Sequence, residues 1–369
     1  MTPSYARKST CFLLPVLSLT LLTACTTLVP ASSSPPSPHP TLAIRVSDDS
    51  GPTAPTSLPP TPTSTNGWLS SLTSARQLPS GEYVIASRPG PFSESLGQEG
   101  RNLDIFDLTG TQTGTFGALP LDDWAISPNS EWLAYVQPGE PGSALDNLQI
   151  AITKIRDGSS VIVPGWHSGI GSITADGRSL LIDQDSDISL LDTQAGTTTD
   201  LSLCPRFHVE VDALCTMPAL SPSGEWVAFF ASFAKSGPPD PRTGTYFMSS
   251  RCLAEPESCA TQPFDGPYAI GPGYAWSPTG TSIAFPASSF SPGKGVSLFD
   301  MSQRAVVREV TDAAASSQDP RARVAWSPSG RYLATSWGTI LDLETGAIIA
   351  NFNAAHDGGR LQWIAIPGE

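Results

Sequence analysis

Ala325-Trp-Ser-Pro-Ser-Gly-Arg-Tyr-Leu-Ala-Thr335 is one of five copies of a short module in this chain of 369 residues. Each copy has an apolar segment, a turn of the Ser-Pro-x-Gly type or a near variant, and a second apolar segment. The other four copies are Trp124–Tyr135, Ser172–Ile182, Ala219–Phe229 and Ala275–Phe285. Recurrence of one unit along a chain marks a repeat architecture, so the module predicts the fold before any single residue does.

The spacing of the modules gives the size of the repeating unit. The turns begin at residues 127, 174, 221, 277 and 327, and a weaker copy, Leu78–Ala86, precedes them. The chain therefore contains six units of roughly fifty residues each. Within each turn, proline presets φ and glycine supplies a positive φ.

Each unit has the pattern of four strands. In the second unit the predicted strands are 124–126, 132–136, 148–155 and 161–163, which are rich in Val, Ile, Leu and aromatic residues. Six such units in series predict an all-β fold, a six-bladed β-propeller of four-stranded antiparallel blades. The segment Leu361–Ile366 resembles an unfinished first strand, and we expect it to complete the first blade and close the ring.

The N-terminus has the pattern of a lipoprotein signal peptide over residues 1–24. Arg7 and Lys8 precede an apolar stretch, and Leu22-Thr-Ala-Cys25 looks like a bacterial lipobox. We therefore expect lipidation of Cys25 and a protein anchored to the cell membrane, facing the extracellular or periplasmic side. The alternative is an ordinary signal peptide cut near Ala24, which leaves Cys25 as a free thiol.

Two regions follow the signal peptide. Residues 25–67 are rich in Pro, Ser and Thr and predict a disordered linker, and residues 68–369 predict the propeller. The apolar stretch Leu42–Val46 interrupts the linker. It is either a strand that docks on the propeller or an isolated apolar stretch, and the sequence leaves both open.

Four further cysteines predict two disulfides, since an even number in an exported protein favours bridges. We pair Cys204 with Cys215 and Cys252 with Cys259. Zinc is the competing interpretation, and the absence of a C-x-x-C pair disfavours it. The formal net charge of -14 predicts no nucleic-acid partner and membrane contact through the lipid anchor only.

The repeated module resembles the TolB-like propeller repeat, which also occurs in propeller domains of prolyl-oligopeptidase-type peptidases. The resemblance covers residues 70–369. The usual repeat has Asp before the Gly, which here only Asp176 keeps; the replacements are Asn129, Ser223, Thr279 and Ser329. The resemblance implies a six-bladed propeller used for protein–protein contact or as an accessory domain, and it implies no catalytic residue.

The connections between the second and third strands of a blade are long in four units, at 88–101, 137–147, 233–244 and 287–295. Long loops on a rigid scaffold commonly carry binding residues. We therefore predict a binding face on the side of these loops and of the connections between blades. Its candidate residues are Asp122, Asp123, His167, Arg206, His208, Asp212, Tyr274, Arg321, Arg323, His356 and Arg360.

Two functions fit this face. The first is a non-enzymatic module without a cofactor that binds an envelope or extracellular protein or glycan. The alternative is an envelope hydrolase or lyase, with or without a metal, that uses Asp123, His167, His208 and His356 at the channel mouth.

Two other motifs receive structural interpretations. We assign four tryptophans to one repeat position and expect them to pack between blades rather than to form a sugar platform; they are Trp124, Trp276, Trp326 and Trp363. Asp183–Asp187 begins like a calcium loop but lacks the glycine and the final acid of that motif. We expect a tight hairpin there.

Overall fold

The computed structural model describes part of the chain. The described residues are 78–93, 98–119, 123–138, 148–166, 169–184, 187–204, 213–233, 240–254, 265–268, 270–286, 295–311, 322–352 and 360–367. The predicted signal peptide, the lipidation of Cys25 and the linker with Leu42–Val46 lie outside them.

The described residues form six antiparallel sheets of four strands, each of which is one blade of a propeller. Blades one to three, from inner to outer strand, are β24 (Leu361–Ile366), β1 (Gly81–Ser93), β2 (Gln98–Phe106), β3 (Gln112–Leu119); β4 (Trp124–Ile126), β5 (Trp132–Pro138), β6 (Leu148–Lys154), β7 (Ser160–Trp166); and β8 (Ile170–Ile173), β9 (Ser179–Gln184), β10 (Asp187–Asp192), β11 (Thr197–Asp200).

Blades four to six follow the same order along the chain. Their strands are β12 (Ala213–Leu220), β13 (Trp226–Phe233), β14 (Gly244–Ser249), β15 (Asp265–Tyr268); β16 (Ala275–Trp276), β17 (Ser282–Pro286), β18 (Gly295–Asp300), β19 (Ala305–Thr311); and β20 (Val324–Trp326), β21 (Tyr332–Thr335), β22 (Thr339–Asp342), β23 (Ile348–Asn351). The structure thus confirms the all-β fold and the number of blades.

Blade one combines the two ends of the propeller sequence. The C-terminal strand β24 pairs antiparallel with β1, from Gly81 opposite Ile366 to Ala86 opposite Leu361. The predicted ring closure is therefore confirmed. The closure is non-covalent: it consists of this ladder and of the packing of β24 against blade six.

Helical structure is minimal in the described part of the chain. The helix α1 (Arg251–Ala254) is a single turn after β14. Within the described ranges, no helix has the length and hydrophobicity needed to span a bilayer.

The repeated turn is stabilised by the hydroxyl group that opens it. In five blades this oxygen accepts the backbone N–H five residues later at 2.9–3.0 Å. It also pairs with the side chain two residues later, which is Asn129, Asp176, Ser223, Thr279 or Ser329. Any short hydrogen-bonding side chain can make this pair. The loss of Asp from most repeats therefore leaves the fold intact.

The recurring tryptophans contribute to the packing of the blades. Trp124 is fully buried, but its assignment to the shared repeat position is wrong: it pairs with Tyr135, and Ile126, two residues later, is equivalent to the other three tryptophans. The indole N–H of Trp276 donates to the carbonyl of Ala219 in blade four at 3.1 Å, and that of Trp363 donates to Ala325 in blade six at 2.9 Å. Buried indole groups with satisfied N–H donors stabilise an interior. The indole N–H of Trp326 instead donates within its own blade, to the carbonyl of Gly330 at 3.0 Å.

One of the two predicted disulfides is present in the described residues. Cys204, which follows β11, is bonded to Cys215 in β12, so the bridge joins blade three to blade four. These two sulfurs are therefore not zinc ligands. Cys252 is also disulfide-bonded. Its predicted partner, Cys259, lies outside the described residues.

Removing the bridge should destabilise the propeller measurably. The two cysteines are 11 residues apart, and chain-entropy reasoning for a loop of this size gives about 3 kcal/mol. In equilibrium urea unfolding, the free energy of unfolding of the double variant Cys204→Ala, Cys215→Ala should be lower than that of the wild type by this amount. An unchanged midpoint would show that the bridge does not constrain the unfolded chain.

Candidate binding face

The inner strands begin at the same end of the propeller at which the second strands end. In four blades the carbonyl of the residue before the inner strand accepts an N–H from the second strand, or in blade six from the residue just after it, at 2.8–3.1 Å. These four residues, which define the channel mouth, are Arg360, Asp123, Gly169 and Arg323 in blades one, two, three and six. The connections between the second and third strands lie at this end. In blade one, β1 and β2 pair as far as Ser93 and Gln98, so the prediction of a long loop at 88–101 is wrong: these residues mostly continue the β-ladder. Parts of the other three predicted loops lie outside the described residues.

Arg360 joins three blades at the channel mouth. Its Nη1 donates to the carbonyls of Trp124 at 2.8 Å and Ile170 at 2.6 Å, at the starts of β4 and β8. Its Nη2 lies 2.5 Å from Oδ1 of Asp123, which also accepts the N–H of Ile170 at 2.8 Å. Both side chains of this ion pair are about one fifth exposed, at 20% and 19%. Charge-assisted bonds in such partly buried positions are strong and directional.

Asp183, at the end of β9, faces this ion pair. Its Oδ2 and that of Asp123 each lie 3.8 Å from the point where a Cβ on Gly169 would stand. Burial, followed by the negative charge of Asp123, raises the pKa of Asp183 to about 6, although a backbone N–H from Met217 and the charge of Arg360 oppose the shift. The site therefore holds two carboxyl groups in different electrostatic environments.

Tyr274 and Arg323 occupy other parts of the mouth. The hydroxyl of Tyr274 donates to the carbonyl of Met217 at 2.6 Å, and burial raises the pKa of Tyr274. This hydroxyl therefore joins blade five to blade four. The backbone N–H of Arg323 donates to Oγ of Ser336 at 3.0 Å. This bond holds the backbone of Arg323 in place at the mouth, and the residue is partly buried.

Of the candidate binding residues, the structure describes Asp123, Tyr274, Arg323 and Arg360, and it brings Asp123 and Arg360 into direct contact. The other candidates lie outside the described residues. They are Asp122, His167, Arg206, His208, Asp212, Arg321 and His356.

Sequence reasoning missed Asp183 as part of the site. The interpretation of Asp183–Asp187 as a hairpin is correct, since β9 and β10 pair with Gln184 opposite Asp187. The sequence does contain a pattern that singles out Asp183, at the position nine residues after the start of each turn. That position holds Ser87, Val136, Asp183, Phe230, Pro286 and Ser336 in the six units. An acid in this otherwise uncharged set indicates a special role.

The second acid of the hairpin, Asp187, contributes to the fold. Its Oδ1 accepts the N–H groups of Ile188, Leu203 and Cys204 at 2.8, 3.0 and 3.1 Å. It also forms a close group with the sulfurs of Cys204 and Cys215, the one arrangement of possible metal ligands found among the described residues. The sulfurs are bonded to each other, so this group lacks the thiolates that a metal would require.

Comparison with known proteins gives a likeness of fold. No family model and no curated protein matches the chain. Among solved structures, TolB from Acinetobacter baumannii is 13% identical with a TM-score of 0.49; the match covers 77% of this chain and 66% of the TolB chain. A chain of the nidogen/laminin complex is 11% identical with a TM-score of 0.49, with coverage of 78% and 100%.

An oligogalacturonate lyase in complex with manganese is 12% identical with a TM-score of 0.42, and the match covers 64% of this chain and 68% of the lyase. The chain thus spans slightly less than two thirds of TolB. These likenesses are too distant to transfer a function, because one fold hosts many unrelated functions.

Proposed function

We propose that this protein is a lipid-anchored propeller of the cell envelope that binds a protein or glycan through its channel mouth and the long loops beside it. The lipobox at Cys25 and the Pro/Ser/Thr-rich linker support the anchoring. The linker would allow the propeller to reach a partner away from the membrane surface.

The observation that carries the proposal is the contrast between the two ends of the blades. At one end, five turns repeat the same internal hydrogen bonds around one hydroxyl group. At the channel mouth, the equivalent positions of four blades carry two arginines, an aspartate and a glycine: Arg360, Arg323, Asp123 and Gly169. Repeated residues maintain the scaffold, whereas non-repeated charged residues at a loop-bearing end are typical of recognition surfaces.

Cross-linking mass spectrometry on intact cells tests the proposal. We expect cross-links to concentrate on the mouth and on the predicted loop 137–147, and Arg323→Ala to reduce capture of the partner at least about tenfold, as for a hot-spot residue. The matched control is Gln303→Ala in a turn at the opposite end, which should leave capture unchanged. Equal capture by both variants and by a loop deletion would refute the assignment of the face.

The anchoring is tested separately by Cys25→Ser. This variant should move from the membrane fraction to the soluble fraction without a change in partner binding. A variant that stays in the membrane fraction would contradict lipidation at Cys25.

A hydrolase or lyase is the second candidate, and one observation favours it. A carboxyl group with a pKa of about 6, Asp183, faces the carboxylate that is paired with Arg360. Carboxyl pairs held in different environments serve as general acid and base. Activity on a panel of glycans and esters should then fall about a hundredfold or more in Asp183→Asn. Metal analysis of the purified protein tests the metal-assisted version.

A further inference from the structure

Asp183 lies in blade three where groups of three other blades approach it, and the proposed binding function does not require it. Described groups from four blades face its carboxyl group. Asp123 and Arg360 approach from blades two and one, the hairpin acid Asp187 from its own blade, and a backbone N–H of Met217 from blade four. Two of these groups are negative and two favour a negative charge on Asp183.

The negative neighbours and burial prevail over the favourable contacts. Arg360 already pairs with Asp123 and donates to two carbonyls. Its positive charge is therefore partly neutralised and stabilises an ionised Asp183 less than an unpaired arginine would. Ionisation of Asp183 therefore places a second negative charge beside Asp123, across a glycine that has no side chain to separate them. Local opening, which admits water to Asp183, relieves this repulsion.

We propose that Asp183 is a proton-controlled switch of the channel mouth: uncharged, it keeps the Asp123–Arg360 joint between blades one, two and three closed, and ionised, it repels Asp123 and loosens that joint. The switch goes beyond binding and does not depend on which partner the protein recognises. It would make the mouth more mobile at neutral pH than in mild acid.

The direction follows from proton linkage. Burial and the charge of Asp123 raise the pKa of Asp183 from 3.8 to about 6 in the folded protein, so the closed form binds the proton more tightly than the open form. The stabilisation is complete below pH 4 and is lost as the pH rises through 6. Between pH 4.5 and 7.5 the equilibrium constant for opening should rise by roughly twentyfold.

Hydrogen exchange on the full chain measures this opening. Three backbone N–H groups depend on the joint: Ile170, bonded to Asp123 Oδ1, Val136, bonded to the Asp123 carbonyl, and Asp183, bonded to Gly169. After correction for intrinsic exchange rates, their protection factors should fall by roughly twentyfold from pH 4.5 to 7.5. In Asp183→Asn, which is isosteric, they should stay constant.

Two controls make the result specific. Glu309→Gln removes one exposed negative charge from β19 and should behave as wild type. The N–H of Tyr332, bonded to Ser327 at the opposite end, should show no dependence on pH. An equal change in wild type and Asp183→Asn would overturn the proposal, as would an equal loss of protection at both ends of the propeller.

Discussion

Replacement of Trp363 by alanine is expected to lower the free energy of unfolding by about 3–5 kcal/mol. Trp363 lies in the closing strand β24 and is 5% exposed. Its ring stacks on that of Tyr332 in blade six, with centroids 6.4 Å apart, and its N–H donates to the carbonyl of Ala325 at 2.9 Å. The substitution removes a large buried area and a satisfied hydrogen bond at the seam of the ring. Denaturant unfolding followed by far-UV circular dichroism measures the loss.

Ile349→Ala is the matched control. Ile349 is an apolar residue of β23, the outer strand of blade six, and 42% of its surface is exposed. It should change the free energy of unfolding by less than about 0.5 kcal/mol. A loss below about 1 kcal/mol in Trp363→Ala would contradict the packing of β24 against blade six.

Gly273→Ala should cost about 3–4 kcal/mol, because it combines backbone strain with a clash between blades. Gly273 has a φ of +88°, and a Cβ there would lie 2.1 Å from the carbonyl oxygen of Ala322, which precedes the inner strand of blade six. Real Cβ atoms do not approach an oxygen this closely, so blades five and six must separate locally. Denaturant unfolding of the variant gives the cost directly.

Gly224→Ala isolates the strain alone. Its φ is +72°, and no atom lies within 4 Å of the position of a Cβ. We expect a loss of about 1 kcal/mol. Equal losses in the two variants would show that blades five and six do not approach each other as closely at Gly273 as the structure has them.

The fold could be predicted from the sequence because its determinants are local and repeated. The hydroxyl of Ser327 accepts an N–H only five residues away, and the same bond recurs in four other blades. Such a bond leaves a pattern in any short window of sequence. The pattern gave the blade count, the second blade's inner strand and the closing segment Leu361–Ile366.

The candidate site could be predicted only in part, because its members come from distant parts of the chain. Arg360 and Asp123 were identified by their place in connections between blades, but their contact depends on ring closure. Asp183 was assigned to a hairpin, which is correct, but its position beside Asp123 follows from the packing of blade three on blade two. The sequence pattern contains no direct information about such contacts.

Some of the acidic residues have a structural role in turns, which the composition alone does not reveal. In five blades an Asp in the turn before the outer strand accepts the N–H two residues later at 2.8 Å. These residues are Asp107, Asp157, Asp192, Asp300 and Asp342. Part of the net charge of -14 therefore stabilises turns.

The account depends most on the closure of the ring by the C-terminal strand, which also places Arg360 at the channel mouth. A chain ending at residue 359, compared with the full chain in thermal unfolding, tests this most directly. We expect the shortened chain to lose cooperative unfolding, and a synthetic peptide of residues 360–369 to restore it. A shortened chain that unfolds cooperatively at the midpoint of the full chain would contradict the account.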